Sequence, residues 1–234
     1  MRLTRSLTVG AVAVLATVVL VAGALAASPS RDAASTSMAG MSMPSQSHSS
    51  TAANGGLSAE SLRVALDNLF AEHAVLAMNA TNAGFSGSKA FPADAKALDN
   101  NSVAISKAIA SVYGAKAGAT FLNAPFMWRA HIKFFVDYTV AKAKHDMAGE
   151  AKAVANLKQY TVTFGKFLAT ATGLPTLAVQ NDLLGHILEL KKQLDDYAAG
   201  NYAAAATDYH NAFNHMFMTA DLVAGAIAKQ KHLS

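Results

Sequence analysis

The chain has 234 residues, 52% of them apolar and 15% charged, and it contains no cysteine. Without thiols it has no lipidated-cysteine anchor, covalent c-type haem, thiolate zinc site or disulfide scaffold, so a folded domain must rest on a packed apolar core. Setting Arg2 and Arg5 aside with the N-terminal segment leaves 17 of the 19 basic residues against 15 acidic ones, a balance too even to point to a nucleic acid.

The N-terminus reads as an address. Met1-Arg2-Leu3-Thr4-Arg5 is a short basic start, and an uncharged apolar run follows from Leu7 to Ala26. Ala24-Leu25-Ala26 has the small-x-small pattern of a cleavage site, which predicts a signal peptide over 1–26 cut after Ala26. The same run is long enough to stay as an uncleaved membrane anchor. Either outcome makes the rest of the chain secreted or extracytoplasmic, in the cell envelope. Residues 27–56 are mostly Ser, Ala, Thr and Gly, with few large apolar groups except methionine. Such a stretch buries too little surface to offset its ordering entropy, and it predicts a disordered linker.

From Leu57 to the end, over 57–234, the apolar residues recur with helical spacing. The first helix starts at a Ser58 cap with Glu60 in its first turn, runs to about Asn82, and carries the stripe Leu62, Leu66, Leu69, His73, Leu76, Ala80. The second opens near Pro92 and ends at Gly114. A short helical piece covers Ala115 to Leu122. Pro125 forces a restart, with Asn123 as the expected cap of a third long helix from about Ala124 to Lys144, striped by Trp128, His131, Phe135 and Tyr138. Asp146 caps a fourth, with Val154, Leu157, Thr161, Phe164 and Leu168. Gly173 and Pro175 break the chain before a fifth, which runs to about Ala198 past Leu183, His186 and Leu190. Gly200-Asn201 then starts a sixth with a heptad-like seam through Ala206, Tyr209, Phe213, Met216, Ala220, Val223 and Ile227. No segment alternates as a strand does. Short connections between long helices predict an all-α, up-and-down helical bundle: four long core helices plus one or two packed helices, after a disordered N-terminal tail.

Two constellations carry possible chemistry. The first is Met38-Ala-Gly-Met41-Ser-Met43 with His48 five residues on, in the linker. Three thioethers within six residues of flexible chain suit Cu(I), and imidazole suits both copper states. The bland reading is a low-complexity linker that happens to contain methionine. The stretch resembles the Met/His-rich segments of periplasmic copper-resistance proteins, a likeness of about a dozen residues that implies a ligand type and no fold.

The second constellation is His73, His131, His186 and His215, each mid-helix and on or beside an apolar stripe. In an antiparallel bundle mid-helix positions share a level, so the four imidazoles are expected to converge. An unsatisfied buried polar group costs about 1–3 kcal/mol, so they must be paired, liganded or partly exposed. The bland reading pairs each one separately with Asn68, Asn181, Asn211, Asn214, Tyr138 or Tyr160. His145 and His232 sit at helix ends and are expected in solvent.

Enzyme patterns are missing. There is no Glu-x-x-His for a di-iron bundle, no His-Glu-x-x-His, no P-loop, no Gly-x-Ser-x-Gly and no dinucleotide fingerprint. Trp128-Arg-Ala-His131-Ile-Lys-Phe-Phe-Val-Asp137-Tyr138-Thr, His215-Met-Phe-Met-Thr-Ala-Asp221 and Leu-Phe-Ala-Glu-His73 resemble a poorly characterised group of secreted bacterial all-helical proteins, over nearly all of 57–230. Some of these carry a label taken from copper amine oxidase N-terminal domains. The resemblance implies secretion, helicity and a link to copper. It does not extend to oxidase chemistry, because Asn201-Tyr202 is followed by Ala203 where the cofactor-forming motif needs an acid.

The expected function is therefore extracytoplasmic metal binding, with copper bound or buffered without catalysis by His73, His131, His186, His215, Met38, Met41, Met43 and His48. The expected partners are a metal ion and an envelope protein, with no nucleic acid. The alternatives are a structural or interaction module of the envelope with satisfied core histidines, and a non-covalent haem bundle using two of them as axial ligands.

Overall fold

The computed structural model describes residues 57–234, which form seven helices: α1 (Ala59–Phe85), α2 (Phe91–Tyr113), α3 (Ala115–Asn123), α4 (Trp128–Ala143), α5 (Met147–Thr172), α6 (Thr176–Ala198) and α7 (Tyr202–Lys231). The expected signal peptide 1–26 and linker 27–56, with Met38, Met41, Met43 and His48, lie outside the described residues. Among the described residues there is no strand, and no helix is long and apolar enough to cross a membrane.

The helix ends follow local chemistry. The Ser58 hydroxyl accepts from the Ser61 amide at 3.1 Å and the Ser61 hydroxyl accepts from the Ser58 amide at 3.1 Å, a reciprocal capping box closed by serine. Asp146 caps α5 by accepting from the Gly149 amide at 3.0 Å. Gly173 ends α5 at φ 74°, a left-handed turn that costs glycine little. One boundary departs from expectation. Asn123 is the last residue of α3 rather than a cap, and α4 begins at Trp128 rather than near Ala124. The turn between them holds Phe126 at φ 56°, a conformation outside the helical region, with its ring 5.5 Å from that of Phe134.

The chain runs up and down. α1 packs against α2 on one side and α7 on the other; α7 pairs with α6, α6 with α5 and α5 with α4, and α4 returns to α1. Cross-contacts fix the directions. Arg63 meets Asp221, Lys192 meets Asp208, Gln180 meets the Val162 carbonyl and Lys142 meets Glu150, so these neighbours are antiparallel. By contrast, α1, α4 and α6 run parallel: His73 lies beside His131 and His186, and one end further on Gly84 lies beside Thr139 and Asn82 beside Gln193.

Most of the core comes from the predicted stripes; in the first half of α7 the buried line is Ala205, Asp208 and Ala212, one position off the expected Ala206, Tyr209 and Phe213, before it rejoins the seam at Met216. Leu62, Leu66, Ile105, Leu157, Phe164, Ala212, Ala220 and Ile227 are essentially inaccessible. Close backbone approach holds α3 against α2. The Ser106 hydroxyl donates to the Gly118 carbonyl at 2.9 Å, and a Cβ on Gly118 would meet the Ser106 carbonyl oxygen at 2.7 Å. Toward the other end, the Tyr138 hydroxyl donates to Asp195 at 2.6 Å while Lys142 and Lys191 pair with the same carboxylate, joining α4 to α6.

Leu66 is fully enclosed, so Leu66→Ala leaves a cavity that the surrounding helices cannot close. It should cost about 2–5 kcal/mol of unfolding free energy. The denaturant midpoint should fall with the slope unchanged; an unaltered midpoint would place Leu66 outside the core.

Candidate functional site

The four mid-helix histidines meet, but as a row. Ring centroids are 5.5 Å apart for His131 and His73, 6.2 Å for His73 and His186, and 6.2 Å for His186 and His215. The helical stripes explain three of the placements. His73 follows Leu62 and Leu66 on α1, His131 follows Trp128 on α4, and His186 shares a face with Leu183 and Leu190 on α6. All three are buried, at 1%, 4% and 5% exposure. On α7 the seam position belongs to Met216, which turns the neighbouring His215 to the flank, with 14% of its side chain exposed.

The surroundings are aromatic. The Trp128 ring lies 4.8 Å from His73 and 4.9 Å from His131, and Phe70 and Phe121 pack on its other contacts. Tyr160 stacks on His131 at 4.7 Å. The indole N–H donates to the Ser102 hydroxyl at 3.1 Å and leaves the imidazoles free of it.

The six partners expected to satisfy the histidines do not do so. Tyr138 is bonded to Asp195, Asn214 to the exposed His210, and Tyr160 contributes a ring face. Nδ1 of His73, Nδ1 of His131 and both nitrogens of His186 are buried without a hydrogen-bond partner. At about 1–3 kcal/mol per unpaired group, this is a large concentration of stored cost for a domain of ordinary stability, roughly 5–15 kcal/mol. Two cavities of about 20 Å³ each flank the row, one lined by His73, His131, Leu98 and Phe135, the other by His131, His186, Tyr160 and Met216. Each has room for one small species.

His215 is chemically different from the other three. Its Nδ1 lies 2.9 Å from Glu189 and its Nε2 3.2 Å from Asp182, whose second oxygen accepts from the Thr219 hydroxyl at 3.0 Å. Ionised carboxylates only accept, so both ring nitrogens must donate and the ring is an imidazolium. Gly185 makes the seat: a Cβ there would stand 2.9 Å from the His215 ring. Neither Glu189 nor Asp182 is among the residues expected at the site from the sequence. The signal was present in the spacing of Asp182, His186 and Glu189, four and three apart on one face of α6.

The electrostatics follow. Burial pushes the His73 and His186 pKa values well below the usual 6.5, and neighbouring imidazoles push the same way. Burial, with His186 nearby, pushes His131 down to about 3. These rings are therefore neutral, and each carries a lone pair able to bind a metal. The hydrogen bond that His215 donates to Asp182, opposed by burial and aided by Glu189, raises the His215 pKa.

Convergence of all four on one ion is not what the rings do as they stand. Among the described residues, no three His, Asp or Glu side chains are grouped so as to hold a metal ion, because the rings follow one another along the row and His215 spends both nitrogens on carboxylates. Asp137 and Asp221, each six residues after a histidine of the row, are taken by basic side chains: Asp137 pairs with Lys133 at 2.7 Å and Asp221 with Arg63 at 2.6 Å. His145 and His232 are exposed, as expected.

The pKa shifts predict how the metal-free chain responds to pH. Three histidines protonate near 6.5 when unfolded and resist protonation when folded, so their contribution is intact above 6.5 and is lost as pH falls, by up to about 1.4 kcal/mol per group per unit. His215 acts oppositely: its contribution is full below 6.5 and is lost as pH rises through its raised folded value. Urea midpoints should therefore drop between pH 6.5 and 5, and much less in the triple variant His73→Leu, His131→Leu, His186→Leu. A wild-type midpoint that is flat over this window would contradict the burial of these rings.

Comparison of the chain with family models, curated proteins and solved structures finds no match.

Proposed function

We propose that the chain is an exported, non-catalytic metal-binding protein and that the metal is copper. The observation that carries this reading is the set of three adjacent, neutral, buried imidazoles with Nδ1 atoms that no protein group bonds. A neutral imidazole is a common ligand of copper and zinc, and a bound ion would recover the cost of the unpaired nitrogens. The thioethers of Met38, Met41 and Met43 and the imidazole of His48 add a soft ligand set in the preceding linker, and the apolar run before Ala26 supports delivery outside the cytoplasm, in or on the envelope. Linker and bundle need not share an ion.

The interaction-module alternative treats the row as a polar core feature bonded to single waters in the two small cavities, with the helix surface presented to an envelope partner. A haem between the histidines is disfavoured by space, since cavities of about 20 Å³ do not admit a porphyrin.

Titration of residues 27–234, and of a chain starting at Leu57, with Cu(I), Cu(II) and Zn(II) separates these readings. Copper should bind the longer chain, with affinity lost in stages when the linker methionines and the core histidines are replaced. If neither chain binds any of the three ions above background, the metal reading is wrong and the interaction module stands.

A further inference from the structure

The charge and spacing of the histidine row select one kind of ion. Asp182 and Glu189, the carboxylates that reach the row, are both bonded to His215. The remaining walls are mostly aromatic and aliphatic, with Trp128 against His73 and His131 and Tyr160 stacked on His131, and the polar side chains among them, Thr81, Thr219 and Asn101, are uncharged. A dication there would have no anionic ligand, and Zn(II) would lack the three or four protein ligands it takes. A soft monocation has lower charge to desolvate and accepts neutral imidazole.

The ring spacings match those of two imidazoles that turn their free nitrogens onto one ion. With metal–nitrogen bonds of about 2 Å, two imidazoles facing each other across an ion hold their centroids about 6 Å apart. The His73 and His186 rings stand at 6.2 Å, and the His73 and His131 rings at 5.5 Å. His186 is buried with neither nitrogen bonded, and His73 and His131 each have a free Nδ1.

Resting on the metal-binding reading above, we propose that His73 and His186 hold one Cu(I) ion in low coordination. His215 is not a ligand. Both of its nitrogens are taken by Asp182 and Glu189, and its ring rests against Gly185 at the outer end of the row.

The test uses the full exported chain carrying Met38→Ser, Met41→Ser and Met43→Ser, so that linker thioethers do not mask the core. Cu(I) is measured by competition with a chromophoric chelator, and Ag(I) serves as a monovalent probe that does not change oxidation state. One equivalent of each should bind, with Cu(II) and Zn(II) weaker. His186→Leu and His73→Leu should each lower Cu(I) affinity by more than the roughly 10–100-fold typical of losing a group behind a ligand. His215→Gln should leave it unchanged. X-ray absorption of the Cu(I) form should show two nitrogen neighbours and no sulfur. Urea midpoints of the metal-free variants provide the folding control, and His186→Leu should match or exceed its parent. Binding that survives His186→Leu in a folded protein, or tighter binding of Zn(II), overturns the low-coordinate site while leaving metal binding standing. If copper binds only when the methionines are present, the core site is overturned and the linker reading survives. If copper does not bind even with the methionines present, both fail.

Discussion

Burying imidazole in an apolar core is the constraint on which this bundle turns. A histidine removed from water keeps its two nitrogens but loses its solvent partners, and the low dielectric favours its neutral form. His73, His131 and His186 all accept this condition, on three parallel helices, α1, α4 and α6, that the up-and-down path brings side by side. The aromatic shell of Trp128, Phe70, Phe121 and Tyr160 fills the space around the rings but offers them faces rather than hydrogen-bond donors. The core is thus well packed and poorly satisfied at the same place. That combination is expensive, and it contrasts with Tyr138 and Trp128, whose buried polar groups are both bonded.

The fourth histidine shows what the other three lack. One helical position separates His215 from the seam residue Met216, and that offset carries its ring to the rim, where Asp182 and Glu189 bracket it. The row therefore changes character along its length, from neutral rings among aromatics to an imidazolium between carboxylates. The two ends respond to acid in opposite directions for the same reason: one set of protons is excluded by desolvation and the other is held by charge. A ligand that prefers neutral nitrogen belongs at the inner end.

Much of the fold was legible from spacing. Stripes at three and four residues marked each long helix, and Ser58, Asp146 and Gly173 marked ends that the structure places within a residue or so. The restart after Pro125 was less legible, because the chain departs from helix over residues 124–127 and Phe126 enters a left-handed conformation that no simple propensity predicts. For the site, the depth of His73, His131 and His186 was readable from their places on apolar stripes. Their order along a row was not, since it depends on which helices run parallel and how each is rotated about its axis. Glu189 was overlooked because its partner lies on another helix, 26 residues away in sequence.

The sequence by itself determined an all-helical chain without thiols, an uncharged apolar run near the N-terminus, three methionines within residues 38–43 and four histidines at mid-helix. These follow from composition and from periodicity along one dimension. Tertiary structure alone decided that three imidazoles stand adjacent with unbonded nitrogens while the fourth is claimed by two carboxylates. The physical reason is that hydrogen bonding and desolvation are set by neighbours in space, and neighbours are fixed by helix direction, register and rotation, which a periodic pattern leaves free.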